Sequence, residues 1–276
     1  VMVSPSATSP ALTTIEDDGL FFRTAPSDAR QGQVMAELAR EAGYDTAAIT
    51  YTNNDYGKGL ADSFEAAFTE AGGSVSISAA HDDGKADYSA EVGALAAAGG
   101  DVLVVIGYVD QGGSGITRAS LDTGAFDIFM FPDGMVGDAL VNRFGDELDG
   151  SIGINPASEG EGRDRFVAIG EEAGFNANSP YSAESYDAAA LMMLAMQAAG
   201  STDPAEVKEH IMAIANGPGE KIMPGELARG LELLAAGTAI DYDGASTPEL
   251  VEPGENPGMF RVTNYTADGA EVAGYR

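Results

Sequence analysis

Five apolar residues in succession, Val102-Leu103-Val104-Val105-Ile106, make a strand with no polar face to offer to water. A strand of that kind belongs in a parallel sheet covered on both sides. Parallel neighbours need crossovers of a dozen or more residues, usually helical. The surrounding sequence supplies them. Strands are predicted over 46–51, 74–79, 101–106, 128–131 and 150–154, and helices over 31–42, 59–71, 88–98, 115–123 and 135–144. Strands thus return roughly every 25 to 30 residues, as βαβ units require. In the helix over 59–71, Leu60, Phe64 and Phe68 fall four apart on one face. Asp28 is placed to cap the helix over 31–42, which Gly43 closes.

Beyond residue 180 the pattern changes. Helices are predicted over 181–199, over 204–215 with Pro204 at the first helical position, and over 228–236. A loop-rich stretch over 237–258 follows, then two late strands, 259–264 and 270–273, joined by Asp268-Gly269. The strand at 1–3 is the other strand on offer to these helices, so the second lobe reads as short of strands.

Composition removes several function classes. With 44 acidic and 14 basic residues the net charge is −30, which repels nucleic acid and anionic membranes. Lysine is scarce, with Lys58, Lys85, Lys208 and Lys221 the whole supply. An acidic, lysine-poor surface fits saline water, where repulsion is screened, and equally fits plain solubility. The absence of Cys excludes disulfides, thiolate zinc sites and Cys nucleophiles. No run of 18 apolar residues is present to span a membrane. There is no phosphate-binding loop, dinucleotide fingerprint or zinc signature. His81 and His210 are the two histidines, and His81, in an Asp-rich turn, reads as facing solvent. Asp241-Tyr242-Asp243-Gly244 lacks the spacing of a calcium loop. Neither a catalytic triad nor an acid–base pair can be assembled, so no enzyme, cofactor or metal is expected.

The informative positions are strand ends. Val1-Met2-Val3 runs into Ser4-Pro5-Ser6-Ala7-Thr8-Ser9-Pro10, Ile106 into Gly107-Tyr108, and Phe131 into Pro132-Asp133-Gly134. Ligands of open α/β sheets sit beyond the carboxyl ends of the strands. Tyr56, in Asp55-Tyr56-Gly57, either covers a ligand or closes a helix start against the core. Tyr108 either touches a ligand or caps the sheet. Asp133 either neutralises an ammonium or caps the helix near Met135.

The ordered set of segments resembles the periplasmic solute-binding proteins of branched-chain amino acid ABC transporters. It comprises Ser4 to Thr13, Phe22-Arg23-Thr24 with Gln31-Gly32, Asn54-Asp55-Tyr56-Gly57-Lys58-Gly59, Gly107-Tyr108, Pro132-Asp133-Gly134, the helix from Tyr181, and Asp241 to Ser246. The resemblance implies an α/β, two-lobed type I periplasmic-binding (clamshell) fold with parallel sheets flanked by helices. It puts chain crossings near 23–26, 178–181 and 254–260. Residues 1–25 and 179–256 would form lobe 1, and 26–178 with 257–276 lobe 2. Ser6 and Thr8 would hold the ligand's α-carboxylate or ammonium from lobe 1, while Tyr56, Tyr108 and Asp133 close from lobe 2. Asp133 stands where Glu is also common. The family's opening strand–helix units have no counterpart here, so lobe 1 is expected to be incomplete, with further sequence upstream of Val1. The expected partners are a small ligand, an amino acid or similar carboxylated molecule, and a membrane permease, with self-association through the exposed lobe 1 edge. The expected location is periplasmic or otherwise extracytoplasmic. A ligand-sensing domain of a receptor or transcriptional regulator is the alternative with the same fold.

Overall fold

The computed structural model describes residues 1–246 and 249–276; Thr247 and Pro248, within the predicted loop stretch, lie outside the described residues. The chain divides into two compact units, Val1–Thr8 with Leu12–Ser27 and Pro156–Met259, and Ser9–Ala11 with Asp28–Asn155 and Phe260–Arg276.

In chain order the strands are β1 (Met2–Ser4), β2 (Phe21–Pro26), β3 (Thr46–Thr52), β4 (Ser74–His81), β5 (Val102–Ile106), β6 (Phe129–Phe131), β7 (Ile152–Pro156), β8 (Glu220–Ile222), β9 (Ile240–Tyr242), β10 (Glu255–Asn256), β11 (Phe260–Thr266) and β12 (Gly269–Tyr275). The helices are α1 (Asp28–Glu41), α2 (Asp55–Glu70), α3 (Ser89–Ala98), α4 (Gly112–Thr123), α5 (Asp138–Phe144), α6 (Glu161–Ala173), α7 (Ser182–Ala199), α8 (Pro204–Ala215) and α9 (Leu227–Ala235).

The second unit is built on a seven-stranded sheet in the order β12-β11-β7-β6-β5-β3-β4. Its centre is parallel: β3 pairs with β4 and β5, β5 with β6, and β6 with β7. β11 and β12 form the antiparallel hairpin expected around Asp268-Gly269. All five residues of β5 are buried, as the apolar run requires. On one side Leu60, Phe64 and Phe68 of α2 pack with Val34, Met35 and Leu38 of α1. On the other, Val92 and Leu95 of α3 and Ile116 of α4 meet Leu103, Val105 and Phe131. Each such fully buried side chain contributes about 1.5–3 kcal/mol.

The first unit has more strands than its sequence announces. β2, which the sequence does not reveal, lies between β1 and β10 in a three-stranded sheet, and β8 pairs with β9 in a second sheet. Both sheets serve α7, α8 and α9: Phe22, Ile222, Ile240 and Tyr242 share one core with Leu191, Leu194, Val207 and Ile211. β8 and β9 are three residues each, too short for alternation to show, and β9 falls within the predicted loop. β2 carries Arg23 at its centre, which breaks the apolar pattern. That guanidinium is fully buried because it is paired: it donates to Glu255 Oε1 at 2.5 Å, to Thr13 Oγ1 at 3.0 Å and to the Ala7 carbonyl at 3.2 Å.

The division of the chain departs from the expected lobe bounds, by three residues or fewer at 9–11, 26–27 and 257–259 and by a whole segment at 156–178. Apart from the short excursion Ser9–Ala11, the chain changes unit after Ser27, after Asn155 and after Met259. Residues 156–178 therefore belong to the first unit, and not to lobe 2 as expected from the sequence. The cause is α6, a helix absent from the sequence-based expectation. Its Phe166 packs with Ala177, Ala183 and Ala245, all in the first unit.

Candidate functional site

Four adjacent strands of the second unit, β6, β5, β3 and β4, end at the same edge of the parallel sheet. Each carboxyl end is followed by a polar turn. After β3, Asn54 is in extended conformation and caps α2, its Oδ1 accepting from Gly57 N at 2.8 Å. The chain folds back so closely that a Cβ on Gly57 would lie 2.1 Å from the Thr52 carbonyl oxygen. Glycine is thus required there, and it aims the preceding side chain, Tyr56. After β5, Gly107 gives way to Tyr108. After β6, Pro132 gives way to Asp133, whose turn is closed by Met135 N donating to the Pro132 carbonyl at 2.9 Å.

These turns meet. The Tyr56 and Tyr108 rings stack with centroids 5.3 Å apart. Tyr56 Oη donates to Asp133 Oδ1 at 3.1 Å and accepts from Gly134 N at 3.4 Å. Asn54 Nδ2 donates to Tyr108 Oη at 3.4 Å. Val109 N donates to the Gly134 carbonyl at 3.1 Å, joining the β5 and β6 turns. Gly134 has no room for a side chain: a Cβ would stand 2.3 Å from the Gly107 carbonyl oxygen and 3.0 Å from Tyr56 Oη. Tyr56, Tyr108 and Asp133 therefore form one cluster. Asp133 is buried, and α5 begins only at Asp138 with Gly137 as its cap, so Asp133 is no helix cap.

Burial pushes the Tyr56 hydroxyl well above the ordinary phenol range, and the carboxylates of Asp133 and Asp28 push it further. It stays a proton donor, which suits its bond to Asp133. Tyr108 is raised too, chiefly by burial, with Asp133, Asp83 and Asp28 adding and the Asn54 bond opposing. Asp28 is thus close enough to act on both tyrosines. Expected from the sequence to cap α1, it is the first residue of that helix and fully buried. Its signal is present in the spacing: Asp28, Gln31, Gly32, Met35 and Ala39 recur three or four apart, and all are buried. His81, expected to face solvent, is buried at the end of β4, with Nδ1 2.9 Å from Thr50 Oγ1.

Ser6 and Thr8 belong to the first unit, on the loop after β1. Ser4 Oγ accepts from Ser6 N at 3.4 Å and Ala7 N at 3.1 Å, and Arg23 holds the Ala7 carbonyl. The Ser6 side chain is exposed and Thr8 is buried. Among the described residues, no three His, Asp or Glu are grouped to hold a metal ion, and no helix is long and apolar enough to cross a membrane.

A sequence model described as periplasmic binding protein matches residues 1–272. The chain belongs to the periplasmic binding protein family. Among family relatives, the substrate-binding protein BasB of a chemotactic signal transduction system in Halobacterium salinarum is 28% identical over 266 residues, covering 89% of this chain and 59% of the relative. The Leu/Ile/Val-binding protein homolog 1 of Brucella melitensis is 31% identical over 211 residues, 74% of this chain and 55% of the relative. The chain thus spans less than two thirds of the length of either relative. A crystal structure of a leucine binding protein from Thermotoga maritima superposes with a TM-score of 0.78 at 22% identity, over 99% of this chain and 72% of that one. The fold is the α/β type I periplasmic-binding fold, with parallel and antiparallel strand pairing and flanking helices.

Proposed function

We propose that this chain is the solute-binding part of an extracytoplasmic import system and captures an amino acid or a similar small carboxylated ligand. The observation that carries this reading is the buried Asp133 carboxylate held by Tyr56 beside the stacked Tyr56–Tyr108 pair. A carboxylate among aromatic faces favours a cation such as an ammonium. Asp28, buried at the start of α1, raises both tyrosines in the same direction as Asp133. Ser6 and Thr8 take the ligand's other polar end, its α-carboxylate, from the first unit. A ligand held by both units favours their closed arrangement, and that differential affinity shifts the population. The ligand leaves unchanged, and a membrane permease receives it. Self-association through β1 belongs to the same proposal, because β1 pairs with β2 alone among the described strands.

Thermal melts against the twenty L-amino acids and their deaminated analogues test the reading. A ligand that binds only the folded state raises Tm with concentration. At least one amino acid raises Tm and its deaminated analogue does not. Stabilisation by amine-free carboxylates alone would remove the ammonium from the Asp133 site, and no rise in Tm with any of these compounds would overturn the reading.

A second reading has a specific support, the name of the Halobacterium relative. In that reading the loaded form of this chain reports to a signalling partner instead of a permease. Pull-down with the permease and with a chemoreceptor from the same membrane separates the two.

A further inference from the structure

The turn after β4 makes no hydrogen bond to Tyr56, Tyr108 or Asp133 among the bonds described above, yet it is bonded to the segments that carry them. Asn53 N donates to the His81 carbonyl at 2.9 Å, and Asn53 Nδ2 to Asp82 Oδ1 at 3.1 Å. Both contacts face the turn after β3. Asp83 differs by reaching two ways. Its Oδ2 accepts from Thr52 Oγ1 at 2.5 Å, and its Oδ1 accepts from Gly112 N at 2.9 Å. Thr52 is the last residue of β3, two before Asn54. Gly112 is the first residue of α4, four after Tyr108.

α4 needs that contact. Its own cap residue, Gln111, provides no side-chain hydrogen bond to the helix start. A helix start exposes unpaired N–H groups and favours a carboxylate. Asp83 supplies one from a different element. The approach depends on glycine: a Cβ on Gly112 would lie 2.8 Å from Asp83 Oδ1 and 2.7 Å from His81 Cδ2. Gln111 N in turn donates to the Tyr108 carbonyl at 3.0 Å, so the start of α4 and the backbone of Tyr108 are one turn.

We infer that Asp83 is a positioning residue for the tyrosine pair. By bonding Thr52 and Gly112 at once, it fixes the turn that carries Asn54 and Tyr56 against the turn that carries Tyr108. The rings are then stacked before any ligand arrives, and their ordering is not left to be done on binding. This rests on the proposal that Tyr56 and Tyr108 face a ligand.

The experiment compares the whole protein with Asp83→Ala, Asp83→Asn and Gly112→Ala. Asn keeps an oxygen for Gly112 N and an amide that can donate to Thr52 Oγ1, so it rescues what Ala loses. Two readouts need no ligand. Hydrogen exchange at Gly112 N speeds up about tenfold or more in Asp83→Ala and stays within about threefold of wild type in Asp83→Asn. Near-ultraviolet circular dichroism of the coupled tyrosines weakens in Asp83→Ala and Gly112→Ala, and not in Asp83→Asn. The third readout is calorimetry with the L-amino acid that most raises Tm: affinity falls about tenfold in Asp83→Ala and recovers in Asp83→Asn. Unchanged exchange and unchanged tyrosine dichroism in Asp83→Ala overturn the inference, as does an Asn variant as impaired as Ala. If no amino acid binds wild type, the proposed function falls, and the two ligand-free readouts alone decide the role of Asp83.

Discussion

Asp187, on α7, accepts four hydrogen bonds: from Tyr242 Oη at 2.7 Å, Ala245 N at 2.8 Å, and Ser246 N and Oγ, both at 2.6 Å. A carboxylate, which only accepts, is the form that can take all four. Burial raises its carboxyl above the usual carboxylate range, and the four donors oppose that rise. Gly244 leaves the space, since a Cβ there would lie 2.5 Å from Asp187 Oδ1. The stretch from Asp241 to Ser246 is therefore not a calcium loop but the cradle of an internal carboxylate. Asp187→Ala strands buried donors and lowers stability on the order of 3 kcal/mol in chemical denaturation; a cost under about 1 kcal/mol would refute this role. His81 predicts a pH effect. Burial holds its imidazole below the usual value, against the opposing pull of Asp83, Glu91 and Asp82, with Lys85 assisting burial. The folded state thus binds fewer protons than the unfolded one. Its contribution is fully present above the unfolded value and is lost as pH falls through the folded one. Melts from about pH 7 to about pH 5 should show wild type losing more Tm than His81→Gln; parallel curves would dismiss it.

At the scale of elements, legibility follows length and periodicity. The parallel strands around β5 and the helices α2, α3, α7 and α8 are readable because apolar residues repeat at strand or helix spacing over long stretches. β8 and β9 are not: each is three residues long and broken by charge, Glu220-Lys221-Ile222 and Ile240-Asp241-Tyr242, whereas the equally short β6 is wholly apolar. α6 escapes because its buried face is Gly162, Phe166 and Gly170, a stripe with one large apolar residue. The cluster of Tyr56, Tyr108 and Asp133 is legible as strand-end positions; the spacing along α1 puts Asp28 on a buried face without showing what it meets there, and Asp83, acting across elements, leaves no mark in local sequence. Asn54 belongs to both groups: it caps α2 and reaches Tyr108. Asn54→Ala should cost about 0.5–2 kcal/mol of stability through the lost cap and also weaken ligand binding. Asn54→Asp, which keeps the cap oxygen and loses the amide donor, should restore stability without restoring affinity. Recovery of both together would show that the Tyr108 contact is irrelevant.

Charge governs the behaviour of the whole molecule. Against a net charge of −30, most ion pairs are exposed, such as Lys58–Asp62 and Arg165–Glu161, and each contributes little. Self-repulsion should weaken as the screening length falls from ~10 Å at 0.1 M salt to ~3 Å at 1 M. Tm should rise over that range; a flat or falling curve would show that the acidic surface serves solubility alone. The central claim is that Asp133 receives an ammonium. Isothermal titration of wild type and Asp133→Asn with the L-amino acid that most raises Tm measures it directly. The account predicts a loss of at least ~1.5 kcal/mol in the variant, roughly tenfold in Kd. Equal affinity in the two proteins would contradict it.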